Sequence, residues 1–334
     1  VSKFSLEVLE RCVFPHAVTH DPDVLLGSAF GEDVALTRVG DDILASHVDP
    51  IIGAIDNIGW LAVHVACNDI AASGIRPRWI LVLVLVPSRK DEDLLESIMA
   101  DVHRAAVEIN VSVVGGHTGY SSGISRPLVA VSAFGDARGR TPVRTGGAKV
   151  GDHVMVTKGI ALEGTAILAC DFADVARDLG ITDHELARAK DLILDVSVIR
   201  EAEVFAEFGA SAMHDVTRGG IFETLLEMAR TSGVRFRINI SLLPQRAVVE
   251  RFARCFAFDP LRMISSGTLV ATVEPGNADA AARRLGEIGI LCADIGTVEH
   301  GDGVELIDGD KTDHFDEIRC EDDELARMWT LYPR

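Results

Sequence analysis

The stretch His214–Ala229, HDVTRGGIFETLLEMA, sets Asp215, Thr217, Arg218, Gly219 and Gly220 directly before an apolar repeat of Ile221, Leu225, Met228 and Ala229 at helical spacing. Polar residues and glycines at the start of an amphipathic helix suit an anion. The first amides and the positive end of the helix dipole attract phosphate or carboxylate, Arg218 adds charge, and glycine permits close backbone approach. The competing assignment is plain capping of the helix by Asp215 or Thr217.

Four shorter polar clusters interrupt apolar elements: GEDVA at 31–35, HVDP at 47–50, CNDIAASG at 67–74 and GGHTG at 115–119. Asp69, with Asn68 beside it, falls on a helical stripe with Leu61 and Val65 that should face the core. A carboxylate there must be hydrogen-bonded, paired or bound to metal, because an unpaired buried charge is costly. One reading has Asp69 accepting from neighbouring backbone amides. The other joins it to Asp33 and Asp49, since carboxylates from separate elements are what Mg²⁺ needs when it carries a polyphosphate. Glu32 is equally a solvated loop acid, and Asp41 and Asp42 belong to a turn. His117 is either a general base or phosphate donor, or a structural hydrogen-bonding residue. In TKGIALEGTA, Lys158 and Gly159 are candidates for a phosphate contact or simply a strand-to-helix turn, as the Walker A ending is missing.

The elements that must position these residues follow from periodicity and punctuation. A short helix is expected over Ser5–Val13, then two strands around Gly40-Asp41, then a helix capped by Asp56 or Asn57 and stopped at Gly74. Trp79–Val86 is apolar without alternation, as a strand covered on both faces would be. A second helix covers Asp91–Ile109, and VSVVGGH and RPLVAVSAFGDA supply two more strands. A glycine-rich stretch at 139–152 reads as a linker, dividing an N-terminal domain, 1–145, from a C-terminal domain, 146–334. The second half alternates helices (165–178, 183–207, 220–232, 246–257, 277–289) with strands near 153, 211, 234, 268, 292 and 303, a layered α/β pattern. The acidic tail EIRCEDDELARMW is expected as a solvated helix.

Composition limits the partners. With 334 residues, 48% hydrophobic content and a formal net charge of −19, the chain can bury a large core and has no basic patch for nucleic acid or an anionic membrane. Six cysteines without a CxxC pair suggest neither a disulfide framework nor a zinc site, which fits the cytoplasm. WILVLVLVP is too short to cross a bilayer.

In order, GEDVA, DP, NDIAASG, GGHT, VTKG, DVTRGG and SSGTL resemble the aminoimidazole ribonucleotide synthetase-like (PurM-like) family of ATP enzymes, over nearly the whole chain. ACNDIAASGIRPRW and HDVTRGGIFETLLEMA look most like its hydrogenase-maturation (HypE) branch, which dehydrates a carbamoylated cysteine tail at the expense of ATP. The resemblance implies a two-domain layered α/β fold, a homodimer built through the N-terminal sheet, and ATP with Mg²⁺ in the cleft between domains. By it the metal positions fall on Asp33, Asp49 and Asp69. Asn68, Gly115, Gly116, Thr118, Lys158, Thr217, Arg218, Gly219 and Gly220 would bind nucleotide or substrate, and Asp69, His117 and Asp215 are the catalytic candidates.

Three departures bear on the activity. The branch usually carries Asp-Thr-Lys where this chain has His117-Thr118-Gly119, and Asn-Glu-Gly where it has Ser265-Ser266-Gly267. It ends in Pro-Arg-Ile-Cys, whereas this sequence stops at Pro333-Arg334, so the expected carrier cysteine is not in it. The expectation is an enzyme that phosphorylates an amide or carboxylate oxygen of a small molecule or of a partner's tail. The alternative is a nucleotide-binding scaffold in metallocofactor assembly.

Overall fold

The computed structural model describes residues 4, 6–17, 19–52, 57–317 and 323–332. It separates into two compact units, one formed within 18–28 and 33–142, the other within 2–17, 29–32 and 143–334. In chain order the elements begin with α1 (Leu6–Cys12), β1 (Val24–Leu26), β2 (Ala35–Val39), β3 (Asp42–Ile52), α2 (Ile58–Ala72), β4 (Trp79–Val86), α3 (Glu92–Ile109), β5 (Ser112–Tyr120) and β6 (Leu128–Asp136).

In the first unit the strands form one sheet in the order β1-β2-β3-β6-β4-β5, with only β4 and β5 parallel. Helix α2 packs on β3, β6 and α3. All fifteen of its residues are buried, so it has no polar face, and the expected stripe carrying Asp69 is a helix covered all round. Asn57 adopts the left-handed conformation before α2 and does not cap it; its side-chain oxygen accepts from Arg104 instead. Asp56 lies outside the described residues.

Two further expectations are corrected here. Strand β4 is covered on one face: Ile80, Val82, Val84 and Val86 are buried, whereas Leu81 is exposed and Leu83 and Leu85 are partly so. A run of β-branched and leucine residues hides the alternation, because both faces are apolar although only one is packed. The strand expected at VSVVGGH runs on beyond that stretch: Gly115, Gly116, His117 and Thr118 all sit within the edge strand β5, opposite Leu81, Val82, Leu83 and Val84. A register shift at Val114 opens a bulge there, and Gly116 passes so close to β4 that a Cβ would lie 1.9 Å from the Val82 carbonyl oxygen.

The second unit continues with β7 (His153–Thr157), α4 (Leu162–Asp171), α5 (Ala173–Asp178), α6 (Asp183–Lys190), α7 (Ile199–Glu207), β8 (Ala212–Asp215), α8 (Gly220–Ser232) and β9 (Arg235–Asn239). It closes with α9 (Ala247–Phe256), β10 (Leu269–Val273), α10 (Pro275–Glu287), β11 (Cys292–Glu299), β12 (Val304–Asp308), β13 (Lys311–Phe315) and α11 (Glu324–Leu331). Its sheet runs β13-β12-β9-β11-β7-β10-β8 and is antiparallel except between β9 and β12.

One apolar cluster joins this sheet to α8 through Val156, Phe222, Leu225, Met228 and Phe236. Another joins α4, α6, α9 and α11 through Leu168, Leu186, Phe252, Phe256 and Met328. Helix α11 is therefore docked rather than solvated: Leu325 and Met328 are buried, and Asp323 caps it by accepting from the amides of Leu325 and Ala326. The long helix expected over 183–207 breaks into α6, a 3₁₀ turn and α7. The carbonyls of Asp195 and Ser197, which a continuous helix would spend on amides, accept from the Lys158 ammonium.

Candidate functional site

In the first unit the candidate residues come from β3, α2 and the loop before β2. His47 and Asp49 are two apart on β3 and point to one face, the face on which Ala45 is fully buried beneath α2. Asp69 reaches toward it from the last turns of α2 with 6% exposure, and the fully buried Asn68 is its neighbour. His47 joins the group: its Nε2 lies 3.3 Å from Asp69 Oδ2, and its Nδ1–H donates to the main-chain carbonyl of Asp33. Sequence reading passed over His47 even though it stands inside HVDP; its place on the Asp49 face of a strand was the available signal.

Electrostatics set the state of this group. A carbonyl oxygen only accepts, so Nδ1 carries the hydrogen and a neutral His47 presents a bare Nε2 to Asp69. Burial lowers the His47 pKa, partly offset by that bond. Asp33, Asp49 and Asp69 do not draw three ligand atoms within 4.8 Å of one another. Cys67, two residues before Asp69 in the chain, is fully buried and its thiol is pushed up by burial first and by the Asp69 charge second, so it is no nucleophile.

In the second unit β8 delivers His214 and Asp215, both buried, to the turn before α8. His214 Nε2 lies 3.2 Å from Glu227 Oε2 on α8, and its Nδ1 is 3.9 Å from Asp215 Oδ1. Neither Asp215 nor Thr217 caps the helix; Gly219 is the cap residue, and the Thr217 carbonyl accepts from the Gly220 amide to close the turn. Arg218 is engaged by an ion pair with Asp323, the cap of α11. The carboxylate of Glu223 folds back over the turn, so that a Cβ on Gly219 would stand 1.9 Å from its Oε2. An acid near the positive end of α8 is a favourable partner for the dipole.

Glu163, in the first turn of α4, is the residue that sequence reading missed in this unit. It is 5% exposed and accepts from the Ser266 amide at 3.3 Å, in the segment where the resembling branch carries its own glutamate. Burial raises its pKa, with the hydrogen bonds from Ser266 and the Arg218 charge pulling the other way. Lys158 turns inward with a left-handed φ of 60°, its ammonium 2.6 Å from Glu201 Oε1 and donating to the carbonyls of Asp195 and Ser197. Cys292, its thiol pushed up to about 12 by burial and by Asp294 and Glu201, is also unreactive. Cys320, Glu321 and Asp322 of the tail lie outside the described residues.

Among the described residues no helix is long and apolar enough to cross a membrane. Residues 31–137 match the model of the AIR synthase related protein N-terminal domain, and 149–309 match the corresponding C-terminal domain. The chain is 30% identical to the carbamoyl dehydratase HypE of Rhizobium leguminosarum bv. viciae, over 75% of this chain and 71% of that protein. It is 27% identical to the selenide, water dikinase of Geobacter sp. (strain M21), over 90% of this chain and 92% of that one. The fold superposes on a hydrogenase maturation protein HypE crystallised in complex with ATP, with a TM-score of 0.68, 24% identity, and coverage of 90% of each chain. The two matched domains span the sheet that carries Asp49 and the α8 turn that carries Asp215, and the chain belongs to the AIR synthase related, PurM-like family, within which its relatives are HypE-like and selenide, water dikinase-like enzymes.

Proposed function

We propose that this chain is an ATP-dependent enzyme that phosphorylates, and so activates, an amide or carboxylate oxygen. The observation that carries the reading is Asp69: a carboxylate at 6% exposure, on a helix with no polar face, turned toward a histidine. A charge in such a place is kept by hydrogen bonds, an ion pair or a bound cation. The donor set fits a divalent cation bound together with phosphate, which takes one or two protein carboxylates and fills its remaining positions from substrate oxygens and water. Asp69, Asp49 and Asp33 would hold it; bound there, it would neutralise charge developing on a transferring phosphoryl group.

The chain's own residues have separable parts in this reading. The β5 residues Gly115, Gly116, His117 and Thr118 belong to the nucleotide-binding surface of the first unit, with the buried Asn68 behind it beside Asp69. In the second unit Asp215, Thr217 and Arg218 orient the acceptor at the α8 turn, with Glu163 as the nearby acid. Lys158 acts by fixing the 195–197 carbonyls.

The open apolar face of the first sheet, with Val48, Ile52, Leu81, Leu83, Leu85 and Phe134, fits pairing with a second copy. A cytoplasmic setting fits six cysteines spaced without a CxxC pair.

Release of phosphate or ADP from ATP, measured across a panel of carboxylates, amides and carbamoylated peptides, tests the reading. Turnover stimulated by one acceptor class and lost on adding EDTA is expected. Nucleotide binding without turnover on any acceptor would favour a scaffold.

A further inference from the structure

We propose that Asp323, the cap of α11, is a positioning residue whose carboxylate holds the Arg218 guanidinium in line for the acceptor at the α8 turn. The inference rests on the reading that Arg218 orients the acceptor. It goes beyond that reading by naming the group that aims Arg218 and the helix that carries this group.

The first argument is the division of the Asp323 carboxylate. Its Oδ1 accepts from both cap amides, Leu325 at 2.9 Å and Ala326 at 3.2 Å, and its Oδ2 accepts from Nη1 of Arg218. The cap of α11 is thus complete without the arginine. The side chains of Asp323 and Arg218 are 10% and 17% exposed, so the pair lies largely out of solvent, where a charge-assisted bond is little screened.

The second is that neither helix depends on this bond for its place. Helix α11 is anchored by Leu325 and Met328, which are buried in the cluster that includes Phe252 and Phe256. Helix α8 is buried from Gly220 to Ala229 and packs on the sheet through Phe222, Leu225 and Met228. What the bond fixes is the guanidinium itself. An arginine side chain is long and rich in rotamers, and one held before the acceptor arrives relieves binding of the entropy of ordering it. Its anchor stands on a packed helix, which places a supporting group more exactly than a loop does.

The third is the chemistry left to Arg218. A planar guanidinium has five N–H groups and the bond to Asp323 uses Nη1, so the same group can serve an acceptor oxygen alongside its anchor. Its charge also reaches Glu163 in the first turn of α4, where it pulls down a pKa that burial raises. Helices α4 and α11 share one apolar cluster through Leu168 and Met328, so the acid and the anchor of Arg218 are carried by the same packed layer.

The test uses the intact chain with ATP, Mg²⁺ and the acceptor class that the panel identifies. Asp323→Asn is the decisive variant, because asparagine caps a helix as aspartate does but offers a guanidinium no negative charge. It should fold with the helical circular dichroism of the wild type and hold its KM for ATP. Its KM for the acceptor should rise about tenfold or more, as expected when a charge-assisted bond no longer aims the binding group. Asp323→Glu, which restores the carboxylate, should recover part of that rise. Phenylglyoxal reads the guanidinium without any acceptor: Arg218, mapped by peptide mass spectrometry, should react faster in Asp323→Asn than in the wild type. If Asp323→Asn does not fold, Asp323→Ser keeps a capping hydroxyl and takes its place in both measurements.

An unchanged acceptor KM, or an unchanged phenylglyoxal rate at Arg218, overturns the proposal. So does a rise in the KM for ATP equal to that for the acceptor, which would mark Asp323 as a support of the fold alone. Arg218→Lys separates these outcomes from the underlying reading. A normal acceptor KM in that variant, or no acceptor-dependent turnover in the wild type, refutes the reading and the proposal with it. A raised acceptor KM in Arg218→Lys beside a normal one in Asp323→Asn refutes the part of Asp323 alone.

Discussion

Lys158 Nζ lies 2.6 Å from Glu201 Oε1, with both side chains shut away from water, and the same ammonium donates to the Asp195 and Ser197 carbonyls. Lys158 therefore holds the break between α6 and α7, and its left-handed backbone is the cost of aiming it inward. Lys158→Met should destabilise by about 3–5 kcal/mol, because it leaves Glu201 buried without its counter-charge. Urea unfolding measures this, and Lys158→Met with Glu201→Leu should recover most of the loss. A single-variant loss below about 1 kcal/mol would show that the pair contributes little.

The contrast between Lys158 and Asp69 shows how far the sequence carries. Asp69 was legible because a charge inside an apolar helical run contradicts its surroundings, and the structure puts it in such a run. Lys158 was not, because its partner Glu201 is forty-three positions away on α7 and nothing in VTKG distinguishes an inward lysine from a phosphate-facing one. Strand positions in the first half were legible from the Gly40-Asp41 turn and from branched apolar runs. The breaks at Phe172 and at 191–195 were not, since they arise from packing and tertiary hydrogen bonds rather than from glycine or proline. Docking of α11 was hidden by the acids that flank its apolar positions.

Glu163 gives a pH dependence of defined sign. Its folded pKa is raised above the ordinary 4.5 by burial, so the folded state binds its proton more tightly than the unfolded state does. Stability attributable to this group is greatest below the unfolded value and is lost as pH climbs from about 4.5 through the raised folded value. The stability difference between wild type and Glu163→Gln, followed from pH 4 to 8 by chemical denaturation, should move in favour of the variant as pH rises. A flat difference would mean that Glu163 is solvated in the folded chain.

Gly220 is demanded by its own fold rather than by a ligand alone. It has φ of 65°, and a Cβ there would meet the Leu261 carbonyl oxygen at 2.4 Å and that of Met263 at 2.8 Å. Gly220→Ala should cost roughly 3 kcal/mol or more, through the left-handed strain plus displacement of the 261–263 backbone. Gly309→Ala, at φ of 58° with nothing within 4 Å, isolates the strain and should cost only about 1–2 kcal/mol. Equal losses in the two variants would rule out close packing as the reason for Gly220.

Asp69→Asn separates charge from shape. The amide keeps the volume of the carboxylate, and its N–H can donate to the bare Nε2 of His47, 3.3 Å from the present oxygen, so stability without ligand should hold or rise. A direct ion pair between His47⁺ and Asp69 would behave in the opposite way, losing about 3–5 kcal/mol when one buried charge is removed. With Mg²⁺ and ATP at about 100 times the dissociation constant, the wild type should gain roughly 2.7 kcal/mol of stability from a ligand that binds only the folded state. The variant should lose most of that gain, as should the wild type in EDTA, because an amide cannot supply the charge that a divalent cation needs from so few protein ligands. Differential scanning fluorimetry with and without Mg-ATP reads both quantities in one experiment. An undiminished nucleotide shift in Asp69→Asn would show that the buried carboxylate serves the fold and carries no cation.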